Sequence, residues 1–264
     1  MGKIIGITGS SGTIGKILYK KLIDMGFKLS LFEGDISNKN DIMKWVNFNK
    51  LDIIFHLAAI VPVDEVKKDP FEAYNVNVGG TINLLESLKK LQIYPWIFYA
   101  STSHVYKPKD SPIKEEDDVQ PLNIYGETKY FAERICESFS ESYKCKICIG
   151  RIFSFYHKTQ KPPFLYPTII ERLRKEDPKK PFFIRGANNI RDFLNAEDVV
   201  LIMIKLMEKG YSGTINIGSG KGITIETFVK KYIDQSLNIY TNNKEEKSIL
   251  IADITKLKNI IGII

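Results

Sequence analysis

Tyr125 and Lys129 stand four residues apart in the run Tyr125-Gly126-Glu127-Thr128-Lys129. On a helix, that spacing puts both side chains on one face. An ammonium beside a phenol favours the phenolate and is expected to lower its pKa. A phenol so placed can pass a proton to or from an alcohol or carbonyl oxygen. A second run, Tyr99-Ala100-Ser101-Thr102-Ser103-His104-Val105-Tyr106, offers hydroxyls and an imidazole after an apolar stretch. If that stretch is a strand, these groups lie at its C-terminal end, where open parallel sheets bind their ligands. A third run, Gly9-Ser10-Ser11-Gly12-Thr13-Ile14-Gly15, spaces three glycines by three. Glycines permit a tight turn and close backbone approach, and a following helix presents free N–H groups and its positive end to a pyrophosphate. A strand before and a helix after are the context that a dinucleotide-binding turn requires, although the spacing departs from the commoner G-x-G-x-x-G. The three runs together suit hydride transfer from a nicotinamide with the tyrosine handling the proton.

These groups need a scaffold, and the hydrophobic periodicity predicts one. Lys3–Thr8 reads as a strand, and Thr13–Met25 as a helix with Ile14, Ile17, Leu18, Leu22 and Met25 at helical spacing, closed by Gly26. Leu29–Ile36 reads as a strand leading to a Ser37-Asn38 helix cap, and Asp52–Leu57 as a strand buried on both faces. Pro70–Leu91 reads as a long helix with Tyr74, Val78, Ile82, Leu85 and Leu88 on one stripe. Trp96–Ala100 reads as a strand, Pro121–Tyr143 as a region holding a helix, and Cys145–Ile152 as a strand. This alternation argues for an α/β fold, a Rossmann-type doubly wound parallel sheet with helices on both faces. After Phe155 the prolines 162, 163, 167, 178 and 181 crowd a basic segment with one helical stretch at Thr168–Lys175. Ala196–Met207 then reads as a helix, Gly213–Ile217 as a strand and Thr224–Asp234 as a helix. The expected organisation is a dinucleotide-binding Rossmann domain over residues 1–156, rejoined by 192–217. Residues 157–191 and 218–264 are expected to form a smaller C-terminal substrate lobe.

Bulk composition narrows the function class. The chain has 264 residues, 44% hydrophobic and 26% charged, an ordinary globular balance with length for one large domain and a small lobe. No apolar stretch approaches the roughly 18 residues a membrane span needs. Ile4, Ile5 and Ile7 run straight into the glycine turn, unlike a signal peptide, so the expected location is the cytoplasm with no membrane partner. Three cysteines fit a reducing compartment. Cys145 and Cys148, three apart on a strand, would point to opposite faces, and no second C-x-x-C or paired His supports a metal. The net charge of +7 is concentrated between His157 and Arg191, where nine Lys/Arg meet three Asp/Glu. No nucleic-acid-binding motif accompanies it, so it reads as solvated helix and loop charge with one or two groups facing a phosphate.

Five further runs complete the pattern: His56-Leu57-Ala58-Ala59, Asn75-Val76-Asn77-Val78-Gly79-Gly80-Thr81, Arg191-Asp192-Phe193, Asn216-Ile217-Gly218-Ser219-Gly220 and Asp253-Ile254-Thr255-Lys256-Leu257. Over nearly its whole length the chain resembles the extended short-chain dehydrogenase/reductase family, in particular the NAD-dependent epimerase/dehydratase group that acts on nucleotide sugars. The resemblance implies NAD or NADP as cofactor and a nucleotide-diphosphate sugar as substrate. By position it implies Tyr125 as the acid/base, Lys129 holding it and the nicotinamide ribose, and Thr102 as its hydroxyl partner. Gly9, Ser11, Gly12, Thr13, Ile14 and Gly15 would hold the cofactor, with Asp35 and Ile36 at the adenine and Leu57, Ala58 and Ala59 along it. Ser103, His104, Ser154 and Arg191 would face the substrate, and a bidentate guanidinium at Arg191 suits a diphosphate. Pro70–Leu91 and Pro121–Tyr143 can pair with their copies in a four-helix interface, as is common in that family, so a homodimer is expected.

Three departures refine the expectation. The segment that reads the adenosine ribose is missing, because Leu29–Phe32 runs directly into Glu33-Gly34-Asp35, which leaves NAD against NADP open. Ser154 stands where the family's Arg-x-x-Asn pattern has asparagine. His104 stands where the family's dehydratases carry an acid, which argues against 4,6-dehydration, and a histidine there could act as a catalytic proton donor. The expected activity is reduction of a 4-keto nucleotide sugar, with 4-epimerisation as the alternative. A catalytically silent dinucleotide-sensing or scaffold protein is the alternative of a different class.

Overall fold

A computed structural model of the chain describes residues 2–61, 63–177, 180–234, 236–241 and 247–262. Strands β1 (Ile4–Thr8), β2 (Lys28–Leu31), β3 (Ile53–His56), β4 (Trp96–Thr102) and β5 (Ile147–Ile152) alternate with helices. Those helices are α1 (Thr13–Asp24), α2 (Lys39–Asn49), α3 (Val63–Lys68), α4 (Pro70–Tyr74), α5 (Gly80–Leu91) and α6 (Ile124–Tyr143). Next come β6 (Ser154–Tyr156), α7 (Leu165–Lys175), β7 (Phe182–Phe183), β8 (Ile190–Asn195), α8 (Ala196–Glu208), β9 (Gly213–Ile217) and β10 (Gly222–Thr224). The chain closes with α9 (Ile225–Tyr232), β11 (Ile239–Tyr240), β12 (Ile249–Leu250) and α10 (Thr255–Ile261). The fold is the expected α/β architecture: a six-stranded parallel sheet ordered β2-β1-β3-β4-β5-β9.

Strand alternation distributes the side chains to two cores. Ile5, Ile7, Phe55 and Phe98 face one side and pack with Leu18 and Leu22 of α1 and Val199, Met203 and Leu206 of α8. Ile54, Ile97, Tyr99 and Ile149 face the other and pack with Trp45 of α2, Leu84 and Leu88 of α5 and Phe139 of α6. Only β2 lies outside β1, so the winding reverses between β1 and β3 and opens a crevice at their C-terminal ends. The predicted Leu29–Ile36 strand is shorter than expected. It stops at Leu31, because residues 32–38 turn at once into α2, capped by Asn38, whose side chain accepts from the Asn40 N–H at 2.9 Å.

The predicted helix over Pro70–Leu91 is continuous but contains a π-helical turn at Asn75–Gly79. Its stripe divides accordingly: Leu85 and Leu88 are buried, whereas Ile82 is exposed. Cys145 precedes β5 rather than opening it. All three cysteines are buried free thiols, and burial pushes Cys145 up to about 11.

Beyond β5, Ile169, Phe182, Ile184, Phe228, Val229 and Leu237 form a separate small core, flanked by β8 with β6, β10 and β12 as its sheet partners. Leu250, Ala252, Ile254, Leu257 and Ile261 instead join the larger core beside α8 and β9. The basic segment is partly self-neutralised on α7, where Arg172 pairs with Glu176 and Lys175 with Glu171. Lys179 and residues 242–246 and 263–264 of the predicted lobe lie outside the described residues. No helix among the described residues is long and apolar enough to cross a membrane.

Candidate active site

The glycine turn lies where β1 meets α1, with Gly12 at the helix N-cap in extended conformation. A Cβ on Gly15 would sit 2.3 Å from the Gly9 carbonyl, so only glycine lets the turn fold against the first turn of α1. Ser11 and Gly12 are exposed and Thr13 and Ile14 half-exposed at the mouth, so the free backbone N–H groups of the helix start face the crevice. The cradle therefore fits the pyrophosphate of a dinucleotide.

A buried chain of hydrogen bonds supports the strand ends beneath it. The Thr8 hydroxyl accepts the N–H groups of Leu57 and Ala58, each at 3.2 Å, and so donates its own proton to His56 Nδ1 at 2.8 Å. His56 Nε2 then carries the ring proton and donates to Thr81 Oγ1 at 3.1 Å, and Thr81 donates to the Asn77 carbonyl at 2.8 Å. Burial first, and then the nearby Lys129 charge, pull His56 down to about 3, so it stays neutral. Leu57, Ala58 and Ala59 emerge from this strand half-exposed. Asp35 accepts from the N–H and hydroxyl of Ser37, so its carboxylate closes its own turn. Ile36 is buried, and Asn83 on α5 donates to the Ile36 and Ser37 carbonyls.

Thr102 closes β4 and His104 follows it on a 3₁₀ turn over Ser103–Val105, both opposite the first turn of α6. That helix starts where it does because Asn123 caps it, its Oδ1 accepting from the Gly126 N–H at 2.9 Å. The same amide then points Nδ2 at His104 Nδ1, 3.0 Å away. His104 Nδ1 is thus an acceptor, and Nε2 carries the proton. A Cβ on Gly126 would lie 2.3 Å from the His104 carbonyl, so the glycine inside the Tyr/Lys motif is what lets the turn approach the helix. The His104 and Tyr125 rings meet edge-on at 5.8 Å. Burial, followed by the charge of Arg191, lowers His104 to about 4, which leaves it a neutral donor at physiological pH.

Tyr125 and Lys129 share one face of α6 and are both buried, 8% and 2% exposed. The expected direction of the tyrosine's shift is corrected. Burial pushes Tyr125 up to about 12, with the Thr102 hydroxyl opposing, so the phenol is protonated at neutral pH. Desolvation of the phenolate dominates, and Lys129 is itself pulled down to about 7 by burial, against the opposing charge of Glu133. The pair can therefore deliver a proton to an oxygen that gains negative charge.

Asn77, on the π turn, was not singled out as a site residue by sequence. It accepts from the Ile60 N–H at 2.8 Å and donates to the Ile60 carbonyl and to Thr128 Oγ1, each at 3.0 Å. It thus ties the loop after β3 to the helix that carries Tyr125 and Lys129. A π turn often marks such a site, but its hydrogen-bond pattern has no local signature. Asn123 was likewise not singled out, although a polar residue just before a helix is the usual sign of a cap.

Among the predicted substrate residues, Ser103 is buried and its carbonyl accepts the Tyr106 N–H, whereas Ser154 opens β6 half-exposed. Arg191, on β8, donates from Nη1 to the Ile190 and Ser248 carbonyls, each at 2.8 Å. Its electrostatic effect on His104 places the two in one region, so β8 brings its cation to the Tyr125 side of the crevice. Among the described residues no three His, Cys, Asp or Glu side chains converge as a metal site.

Comparison with known proteins agrees with this geometry. A family model described as GDP-mannose 4,6 dehydratase matches residues 12–261. The chain is 28% identical over 250 residues to a putative UDP-glucose 4-epimerase of Methanocaldococcus jannaschii, covering 86% of this chain and 79% of that protein. It is 31% identical over 217 residues to dTDP-D-glucose 4,6-dehydratase of Homo sapiens, covering 81% of this chain and 59% of that one. The solved UDP-glucose 4-epimerase of Thermotoga maritima with UDP-glucose matches at a TM-score of 0.87 and 26% identity, covering 98% of this chain and 92% of that one. RMD of Pseudomonas aeruginosa complexed with NADPH shares the fold at a TM-score of 0.88 and 24% identity, covering 98% and 92%.

Proposed function

We propose that this chain, which belongs to the NAD-dependent epimerase/dehydratase family of extended short-chain dehydrogenases/reductases, reduces a 4-keto nucleotide sugar. The observation that carries the reading is the proton inventory of the pocket. Tyr125 is held protonated, His104 is a neutral donor, and no carboxylate stands at the position where the family's dehydratases keep their acid. The glycine turn, Leu57–Ala59 and Lys129 would hold NAD(P)H, which supplies a hydride when bound. Tyr125 gives its proton to the carbonyl oxygen as that oxygen gains charge, Thr102 accepts or donates beside it, and Lys129 stabilises the phenolate left behind. Arg191 would bind the diphosphate, in a substrate lobe built from 157–191 and 218–241, with α10 serving the larger core. Glu33, an exposed carboxylate two residues beyond β2, would repel a 2′-phosphate on the adenosine ribose, which favours NADH over NADPH.

The test is incubation with a panel of 4-keto-6-deoxy sugar nucleotides and each reduced dinucleotide. The expected result is loss of the near-ultraviolet absorbance of the nicotinamide, faster with NADH, and a 4-hydroxy sugar by mass spectrometry. Unchanged absorbance across the panel would reject the reductase reading. The second reading, 4-epimerisation, is favoured by the epimerases among the relatives and would appear as conversion of a 4-hydroxy sugar nucleotide with no net change in the dinucleotide.

The assembly we propose is a homodimer through α5 and α6. Tyr74, Val78, Ile82, Phe131 and Ile135 line a groove between these helices, and Phe71 beside it is 87% exposed. An apolar face of this kind on two long helices suits a second copy of itself. Sedimentation at micromolar protein is expected to give twice the chain mass of 30.2 kDa, and a monomer would remove this part of the proposal.

A further inference from the structure

The Lys129 ammonium poses a problem that the pocket must solve. It is buried, and among the described residues it has no hydrogen-bond partner and no carboxylate within ion-pair reach. The carboxylate one turn further along α6, Glu133, is committed elsewhere. It accepts from Arg151 Nε at 3.1 Å and Nη2 at 2.7 Å, and from the Ser101 hydroxyl. What the ammonium does meet is the face of Tyr99, with Nζ 4.2 Å from the ring centroid. Tyr99 lies on β4, 1% exposed, and its hydroxyl makes no close hydrogen bond among the described residues, with only a weak interaction from Thr81. The ring is therefore placed for its face rather than for its hydroxyl.

We propose that Tyr99 is a positioning residue whose ring holds Lys129 in its charged form by a cation–π contact, leaving the three ammonium N–H donors free for a ribose and for the Tyr125 phenol. A carboxylate in the same place would hold the charge more strongly but would occupy the donors and fix their direction. A ring face stabilises the charge without accepting a specific proton. This inference rests on the reading of Lys129 as a dinucleotide-binding residue.

The groups around the ammonium are Tyr99 on β4, His56 on β3, and Tyr125, Glu133 and Cys136 on its own helix, with Arg151 on β5 behind Glu133. His56 is neutral, Tyr125 is protonated, and burial keeps the Cys136 thiol protonated. Lys129 is thus the group here that titrates near neutrality, and loss of the ring lowers its pKa further, because the charged form loses its partner.

The experiment reads NADH or NADPH binding by nicotinamide fluorescence against pH, with no sugar present, for wild type, Tyr99→Phe and Tyr99→Leu. Thermal unfolding of each confirms the fold, and Tyr99→Met replaces the leucine variant if that one does not fold. The alkaline limb of binding is expected to move about one pH unit towards acid in Tyr99→Leu, a tenfold weakening above the limb. Tyr99→Phe, which keeps the face and drops the hydroxyl, is expected to keep the wild-type limb. An unmoved limb in the leucine variant, or equal shifts in both variants, overturns the proposal while leaving the dinucleotide site intact. Wild-type protein that binds neither dinucleotide sinks the reading of the site and this proposal with it.

Discussion

Tyr125→Phe is expected to lower kcat for carbonyl reduction by about a hundred- to ten-thousand-fold, the usual scale for removing a positioned general acid. The variant removes one hydroxyl from a ring that is 8% exposed and packed with Val66 and Ala73, so the fold and the dinucleotide cradle should be unchanged. Binding of reduced dinucleotide, measured by fluorescence, is expected to stay within a few-fold of wild type while turnover collapses. The pH profile carries a second signature. The Tyr125 phenol stays protonated across the neutral range, whereas Lys129 is pulled down to about 7. Raising the pH therefore removes the ammonium before the phenol ionises, and kcat/KM for reduction should decline on the alkaline side. A Tyr125→Phe variant with full turnover would revive the view of the chain as a catalytically silent dinucleotide binder.

Glu133→Leu is expected to be the most destabilising single change near the site, costing about 3–5 kcal/mol. Glu133 is fully buried and Arg151 nearly so, and the replacement leaves a guanidinium in the core without its carboxylate. Arg151 would retain the Glu115 carbonyl at 3.1 Å and the face of Tyr106 at 4.7 Å, neither of which neutralises its charge. Ser101, next to Thr102, would also lose its acceptor, so the end of β4 should loosen with the core. For a chain of this size the cost corresponds to a fall in Tm of roughly 6–20 °C. Scanning calorimetry of Glu133→Leu and of the double variant with Arg151→Met checks the cause. If the unpaired charge carries the cost, removing the arginine as well should recover much of the stability. A single variant melting within about 2 °C of wild type would show that the pair contributes little.

The site was legible wherever chemistry and local periodicity coincide. The glycine turn, the Tyr125/Lys129 spacing and the Thr102–His104 run each sit on one element boundary, and each is built from neighbours in the chain. The positioning groups were less legible. Asn77 acts across to Ile60 and Thr128, and Tyr99 meets Lys129 of α6 from strand β4, so neither partner lies within a helical turn or a strand pair of sequence. The short β2 shows the same limit from the other side. The missing length before Gly34 was visible, but that the sheet would then carry a single strand outside β1 was not.

The residues by themselves determined the α/β alternation, the glycine-rich turn between β1 and α1 and the placing of Tyr125 and Lys129 on one helix face, because periodicity and spacing within a helix or a strand are properties of local sequence. Only the tertiary structure decided the protonation of those residues and the tautomers of His56 and His104. Those depend on desolvation and on donors brought in by other elements, and in the Tyr125 pocket burial raises the phenol's pKa against the Thr102 hydroxyl.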